Sequence, residues 1–323
     1  MIKKAFFLFP GQGAQAPGMA MDLLEKSVQV KELFTLASGI YGKDMAGVLA
    51  NSSPETLKRT DVCQPAITLA NLAAAVYLAE QGIQPCGSAG FSLGEYTALA
   101  LAGVISKEDC FMLVGERGKA MQSAIDRIAG GAEPPGMAAV MGLEPQKVEA
   151  LINEWKAAGN ADLQELYAAN INSVKQTVVS GTARALSESE KLFTEAGARR
   201  FMRLQVAGPY HSPFMASAAD EFRPVLEKVQ FNDPAIPLYS NVSGKKISSG
   251  AEAKKLALLQ ITQAVRWVDE EASILADNGG GIEALLEAGP GKVLQGLWKD
   301  SGSELPCLLA GTAEDIAKII TGA

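Results

Sequence analysis

Between Pro134 and Val206 the hydrophobic pattern breaks from its surroundings, and that break restricts the folds open to the whole chain. Met137 to Met141 reads as a strand, Pro145 to Ala158 as a helix, Leu166 to Ile171 and Gln176 to Ser180 as two strands, Ala183 to Ala196 as a helix, and Arg200 to Val206 as a last strand. The order β-α-β-β-α-β is that of a ferredoxin-like unit. It lies between GGAEPPG, which reads as a linker, and AGPYHS. On either side the pattern is different. Ala5 to Phe9 is a compact apolar run ending in Pro-Gly-Gln-Gly, Gln64 to Gln81 and residues 107 to 125 read as helices, and strand-like runs recur at Leu238 to Val242 and Ile282 to Glu287. Buried strands alternating with helices predict a largely parallel sheet covered on both faces. The expected fold is therefore a large, discontinuous α/β domain (1–133 and 207–323) carrying an inserted small α+β domain (134–206), with a ligand cleft between them.

Bulk properties narrow the function. The chain has 29 basic and 36 acidic residues for a net charge of −7, which argues against a nucleic-acid surface. The start, MIKKAFFLF, imitates a secretory signal, but its apolar stretch stops at Pro10 and reads better as a buried strand. No run is expected to reach the roughly 18 apolar residues that span a bilayer, so no membrane role is predicted. Cys63, Cys86, Cys110 and Cys307 have neither C-x-x-C spacing nor disulfide-scaffold density, which points to buried thiols and a cytoplasmic location. The single histidine, His211, rules out an H-E-x-x-H zinc site, and no metal is expected.

The chemistry centres on AGFSLGEYTA, where Ser92 sits in a G-x-S-x-G pattern. Such a serine is either a nucleophile on a sharp strand-to-helix turn or part of a glycine-rich helix entry. LGEYTALALA after it is a good helix former, while Pro85 to Gly90 before it is poor in β-branched residues. A helix start beside Ser92 would offer backbone N–H groups to an oxyanion. His211, at the exit of the inserted unit, is either its base or a structural loop residue. Arg117 falls on the apolar face formed by Cys110, Leu113, Val114 and Met121. An inward guanidinium either holds a carboxylate through its planar fork, pairs with a structural acid, or snorkels to solvent.

Taken in order, the motifs resemble those of malonyl-CoA:acyl carrier protein transacylases, the acyltransferases of type II fatty acid synthesis and their polyketide-synthase relatives. The resemblance covers nearly the whole chain and rests on Phe9 to Gly13, Thr60 to Pro65, the serine motif, Arg117-Gly118, Asn170-x-Asn172-Ser173, the His211 loop, Ser240 to Val242, and Glu287 to Leu294. It implies a hydrolase-like core, Ser92 as nucleophile, His211 as base, and the backbone N–H groups of Gln12 and Leu93 as oxyanion hole. It further implies that Arg117 holds the malonyl carboxylate, that the Gln260 carbonyl orients His211, and that Gln64 and Asn172 support the site. The implied partners are malonyl-CoA, CoA and an acyl carrier protein that brings its own phosphopantetheine. No bound cofactor is implied, and a monomer is expected. Arg199 and Arg200 resemble a basic pair used for carrier docking, or else they are a solvated strand end.

The match departs at Phe91, where the family usually has histidine, so an apolar ring stands beside the substrate. Tyr210 lies in the region that separates malonyl from larger extender units, and an aromatic there narrows the pocket. A serine hydrolase is the competing class, either an acyl-carrier hydrolase of the same family or a patatin-like lipase with a Ser-Asp dyad. The usual α/β-hydrolase order, with histidine near the C-terminus, fits poorly because His211 lies well inside the chain.

Overall fold

The computed structural model describes residues 2–130, 134–279 and 281–322. Among these residues are eight strands: β1 (Ala5–Phe9), β2 (Pro85–Gly90), β3 (Gly136–Met141), β4 (Leu166–Ser173), β5 (Gln176–Gly181), β6 (Arg200–Arg203), β7 (Ala284–Glu287) and β8 (Cys307–Leu309). They form two sheets. One runs β2-β1-β7-β8 with every pairing parallel, and the other runs β4-β5-β3-β6 with every pairing antiparallel.

The parallel sheet is buried on both faces because alternate β1 side chains serve two cores. Phe7 and Phe9 join the larger core, with the helices Thr60–Glu80 and Lys107–Ala129. Phe6 and Leu8 point the other way, toward Tyr239, Trp267 and Trp298. The antiparallel sheet has the ferredoxin-like strand order and covers one face with the helices Pro145–Ala157 and Ala183–Glu195, over Ala138, Val140 and Val179. Its opposite face, with Met137, Ala139 and Val178, packs into the larger core. Mainchain bonds tie the two sheets' layers together, since Ile171 N–H donates to Val265 O at 2.7 Å and Val265 N–H to Ala169 O at 2.9 Å.

Several elements differ from expectation. The strand foreseen at Arg200 to Val206 stops at Arg203, with one further mainchain bond from Leu204 N–H to Met137 O at 2.9 Å. Leu238 to Val242 is reduced to isolated bridges at Leu238 and Tyr239, after which a turn joins Ser240 to Lys245. Pro85–Gly90, weak in strand propensity, is nevertheless the parallel strand that leads to Ser92. The helix Thr60–Glu80 starts earlier than predicted and, against expectation, is long and apolar enough to cross a bilayer. Most of it is buried inside the molecule. Of the foreseen linker, Gly131 to Glu133 lie outside the described residues.

Candidate active site

Ser92 sits where β2 turns into the helix Gly94–Leu101, with φ at 51°, in the left-handed region that side chains other than glycine rarely adopt. The flanking glycines permit the turn. A Cβ on Gly90 would collide with the backbone of Gly94, and one on Gly94 with the backbone of Phe9. The elbow is pinned by Phe91 N–H to Phe9 O and Gly94 N–H to Phe91 O, both 2.9 Å, and by Ser92 N–H to Asn241 Oδ1 at 2.6 Å.

His211 reaches this serine from the loop that leaves the inserted sheet. Its Nε2 lies 2.8 Å from Ser92 Oγ, and its Nδ1 lies 2.8 Å from Gln260 O. A carbonyl only accepts, so Nδ1 carries the proton and Nε2 presents a lone pair to the serine. Burial, reinforced by the Arg117 cation, pulls the His211 pKa down to about 4. The imidazole is therefore neutral at neutral pH. His211 also has a positive φ, 54°, so both members of the pair hold a costly backbone conformation.

Arg117 is buried beneath them. Nη1 donates to Gln64 Oε1 at 2.8 Å, Nη2 donates to Gln260 Oε1 at 3.0 Å, and the guanidinium stands 5.3 Å from the centre of the Tyr96 ring. Among the described residues its Nε has no partner. Burial lowers its pKa from the ordinary arginine value. Gln260 joins Arg117 to His211: its carbonyl accepts from His211, and its amide nitrogen donates to Glu95 Oε2 at 2.6 Å and to Ser92 O at 3.0 Å. Glu95 has its pKa pushed up to about 7, chiefly by burial.

A cavity of about 420 Å³ opens onto this group, lined on one side by Gln12, Phe91, Ser92 and Arg117 and on the other by Asn172, Gln176 and Val178 of the inserted sheet. Gln12 and Leu93 border it, and among the described residues neither donates its backbone N–H within the molecule. Phe91 turns its ring edge onto Trp267, centroids 5.5 Å apart. Tyr210 Oη sits 2.7 Å from Thr60 Oγ1 and receives the Gln12 amide at 3.2 Å. Asn172 stands apart from the dyad, on the sheet wall, where it donates to Gln176 Oε1 at 2.6 Å. The basic pair splits. Arg200, opposite Met141 and through it in line with Gln176, shares the cleft-side face of its sheet, whereas the Arg199 stem lies over Gly142. The groups that the residue reading passed over are Asn241, singled out only as part of a motif, and Glu95.

Comparison with known proteins decides the lineage, because the acyl transferase domain family matches residues 6–315. The chain belongs to the acyl transferase domain family. This acyl transferase is 34% identical over 315 residues to the malonyl CoA-acyl carrier protein transacylase of Bacillus subtilis, covering 98% of this chain and 96% of that one. It is 37% identical over 300 residues to the Haemophilus influenzae protein of the same name, with 92% of each chain covered. Among solved structures, an acyl carrier protein S-malonyltransferase from Vibrio cholerae superposes with a TM-score of 0.88 at 35% identity, over 98% of this chain and 99% of that one. A malonyl-transacylase solved in complex with its type II polyketide acyl-carrier protein superposes with a TM-score of 0.87 at 31% identity, over 99% and 100% of the two chains.

Proposed function

We propose that this acyl transferase moves a malonyl group from malonyl-CoA to the phosphopantetheine thiol of an acyl carrier protein by way of an ester on Ser92. The observation that carries the reading is the contact between Ser92 Oγ and the lone-pair nitrogen of a neutral His211, in a cleft that also holds a buried arginine. His211 Nε2 takes the serine proton as Oγ attacks the thioester carbonyl. The oxyanion is received by the unspent N–H groups of Gln12 and Leu93. Collapse breaks the C–S bond, and the imidazolium returns the proton to the departing CoA sulfur. The carrier thiol then gives its proton to His211, attacks the acyl-serine and leaves Oγ reprotonated.

Arg117 supplies the acyl preference. A guanidinium has five N–H donors, and Gln64 and Gln260 occupy only two, which leaves donors for a carboxylate. An acetyl group would leave them unsatisfied in a buried place, a stronger discrimination than size alone provides. Phe91 and Tyr210 narrow the cleft against branched acyl groups, Gln64 and Asn172 support its walls, and Arg200, with Arg199 behind it, offers a basic edge to an acidic carrier. Intact-protein mass spectrometry after mixing with malonyl-, methylmalonyl- and acetyl-CoA tests the reading. The expected result is a malonyl adduct on Ser92 that passes to a holo carrier. Release of free malonate without carrier acylation would make the enzyme a hydrolase instead.

A further inference from the structure

Two buried carboxylic acids flank Asn241, and the mechanism above uses neither. Glu95 receives the Asn241 backbone N–H at 3.1 Å, while Glu270, in the first turn of the helix Trp267–Asp277, receives one hydrogen of its side-chain amide. The other hydrogen goes to Gly90 O at 2.8 Å. On its oxygen side the same amide takes Ser92 N–H at 2.6 Å. Both of its hydrogens are spent and its oxygen faces a donor, so the amide has a single workable orientation; turned over, it would set donor against donor at Ser92.

The two acids cannot share two charges around one asparagine. Arg117 lies on the Glu95 side and favours its anion, whereas burial and the Glu95 charge push the Glu270 carboxyl well above the usual carboxylate range. Glu270 is the protonated member, and its carbonyl oxygen still accepts from Asn241. One oxygen of each acid has no partner among the described residues, so neither acid is explained as a well-satisfied structural group.

We propose that Glu270 is a positioning residue for the nucleophile: by fixing the Asn241 amide, it holds the Ser92 backbone in the left-handed conformation from which Oγ meets His211. That conformation is strained for a residue with a Cβ and persists only where neighbours enforce it. The inference rests on Ser92 being the acylated residue. Its test is pre-steady-state acylation with malonyl-CoA, with near-UV circular dichroism confirming the fold of each variant. Glu270→Leu, which removes the acceptor, is expected to slow acylation about tenfold with KM unchanged, the scale of one lost hydrogen bond. Glu270→Gln, which keeps an acceptor oxygen, is expected to recover most of that loss. Acylation at the parental rate in Glu270→Leu, or a Glu270→Gln enzyme as slow as Glu270→Leu, overturns the proposal. Should Glu270→Leu fail to fold, Glu270→Met, which is close to glutamate in length and carries no strong acceptor, takes its place with the same two outcomes. Labelling of the parent enzyme away from Ser92 would defeat the underlying reading instead.

Discussion

The two walls of the cleft are built on opposite terms. Behind Ser92 the polar groups are buried and bonded to one another: Arg117, Gln260, Glu95, Asn241 and Glu270 form a continuous set. Across the cleft, the antiparallel sheet and its helices meet the rest of the chain through solvent-accessible ion pairs, Lys175 with Asp300 at 2.8 Å at the surface and the half-buried Arg266 with Glu149 at 3.1 Å. Water screens the second set and not the first, so similar distances carry different weight. A group that must be oriented to a fraction of an ångström belongs in the buried wall. One that needs only to meet a large, mobile partner belongs in the exposed wall.

Substitutions measure that contrast. Ser92→Ala is expected to abolish malonyl labelling and to cut transfer by roughly 10⁴-fold or more, as loss of an acylated serine does elsewhere; persistent labelling would remove Ser92 from its role. Arg117→Ala comes next, with kcat/KM for malonyl-CoA falling about a hundredfold and preference over acetyl-CoA lost. Unchanged preference would make Arg117 purely structural. Arg200→Glu is expected to raise KM for the carrier several-fold at most while leaving that for malonyl-CoA alone, measured by transfer at varied carrier concentration. Lys175→Ala should cost less than about 1 kcal/mol in urea unfolding, since the pair is exposed. A larger cost would erase the contrast between the walls.

The buried wall also sets how stability depends on pH. Glu95 titrates near 7, and Glu271, bonded to the Trp267 indole, is pushed by burial to about 8. Both keep a proton where the unfolded chain has lost it. Their contribution is complete below about pH 4.5 and disappears as pH rises through 7 and 8. His211 acts oppositely: its lowered pKa contributes stability above about 6.5 that is lost as pH falls through about 4. Urea unfolding across pH 5 to 9 should therefore show stability falling on the alkaline side, and Glu271→Gln should flatten that fall.

How much of this the sequence discloses differs by wall as well. The antiparallel sheet is legible because its strands alternate cleanly and its two amphipathic helices cover one face. The lone histidine and the serine motif locate the dyad, and the family motifs supply the Gln260 carbonyl. β2 is nearly illegible, because PCGSAG owes its extended form to neighbours on both sides and not to its own propensity. Glu95, Glu270 and Glu271 are the hardest to foresee. In V-D-E-E-A adjacent acids look like a solvated helix face, and only the tertiary fold turns two of them inward.

Gln260 has a practical consequence for anyone who would redirect this enzyme to another acyl group. Because one residue supplies the backbone carbonyl for His211 and the amide oxygen for Arg117, altering the arginine also disturbs the support of His211. Under the proposed mechanism, redesign at Arg117 would exchange selectivity for turnover. Phe91, which lines the cleft with its ring against Trp267, is under the same mechanism the position from which the cleft would be reshaped while Ser92 and His211 are left in place.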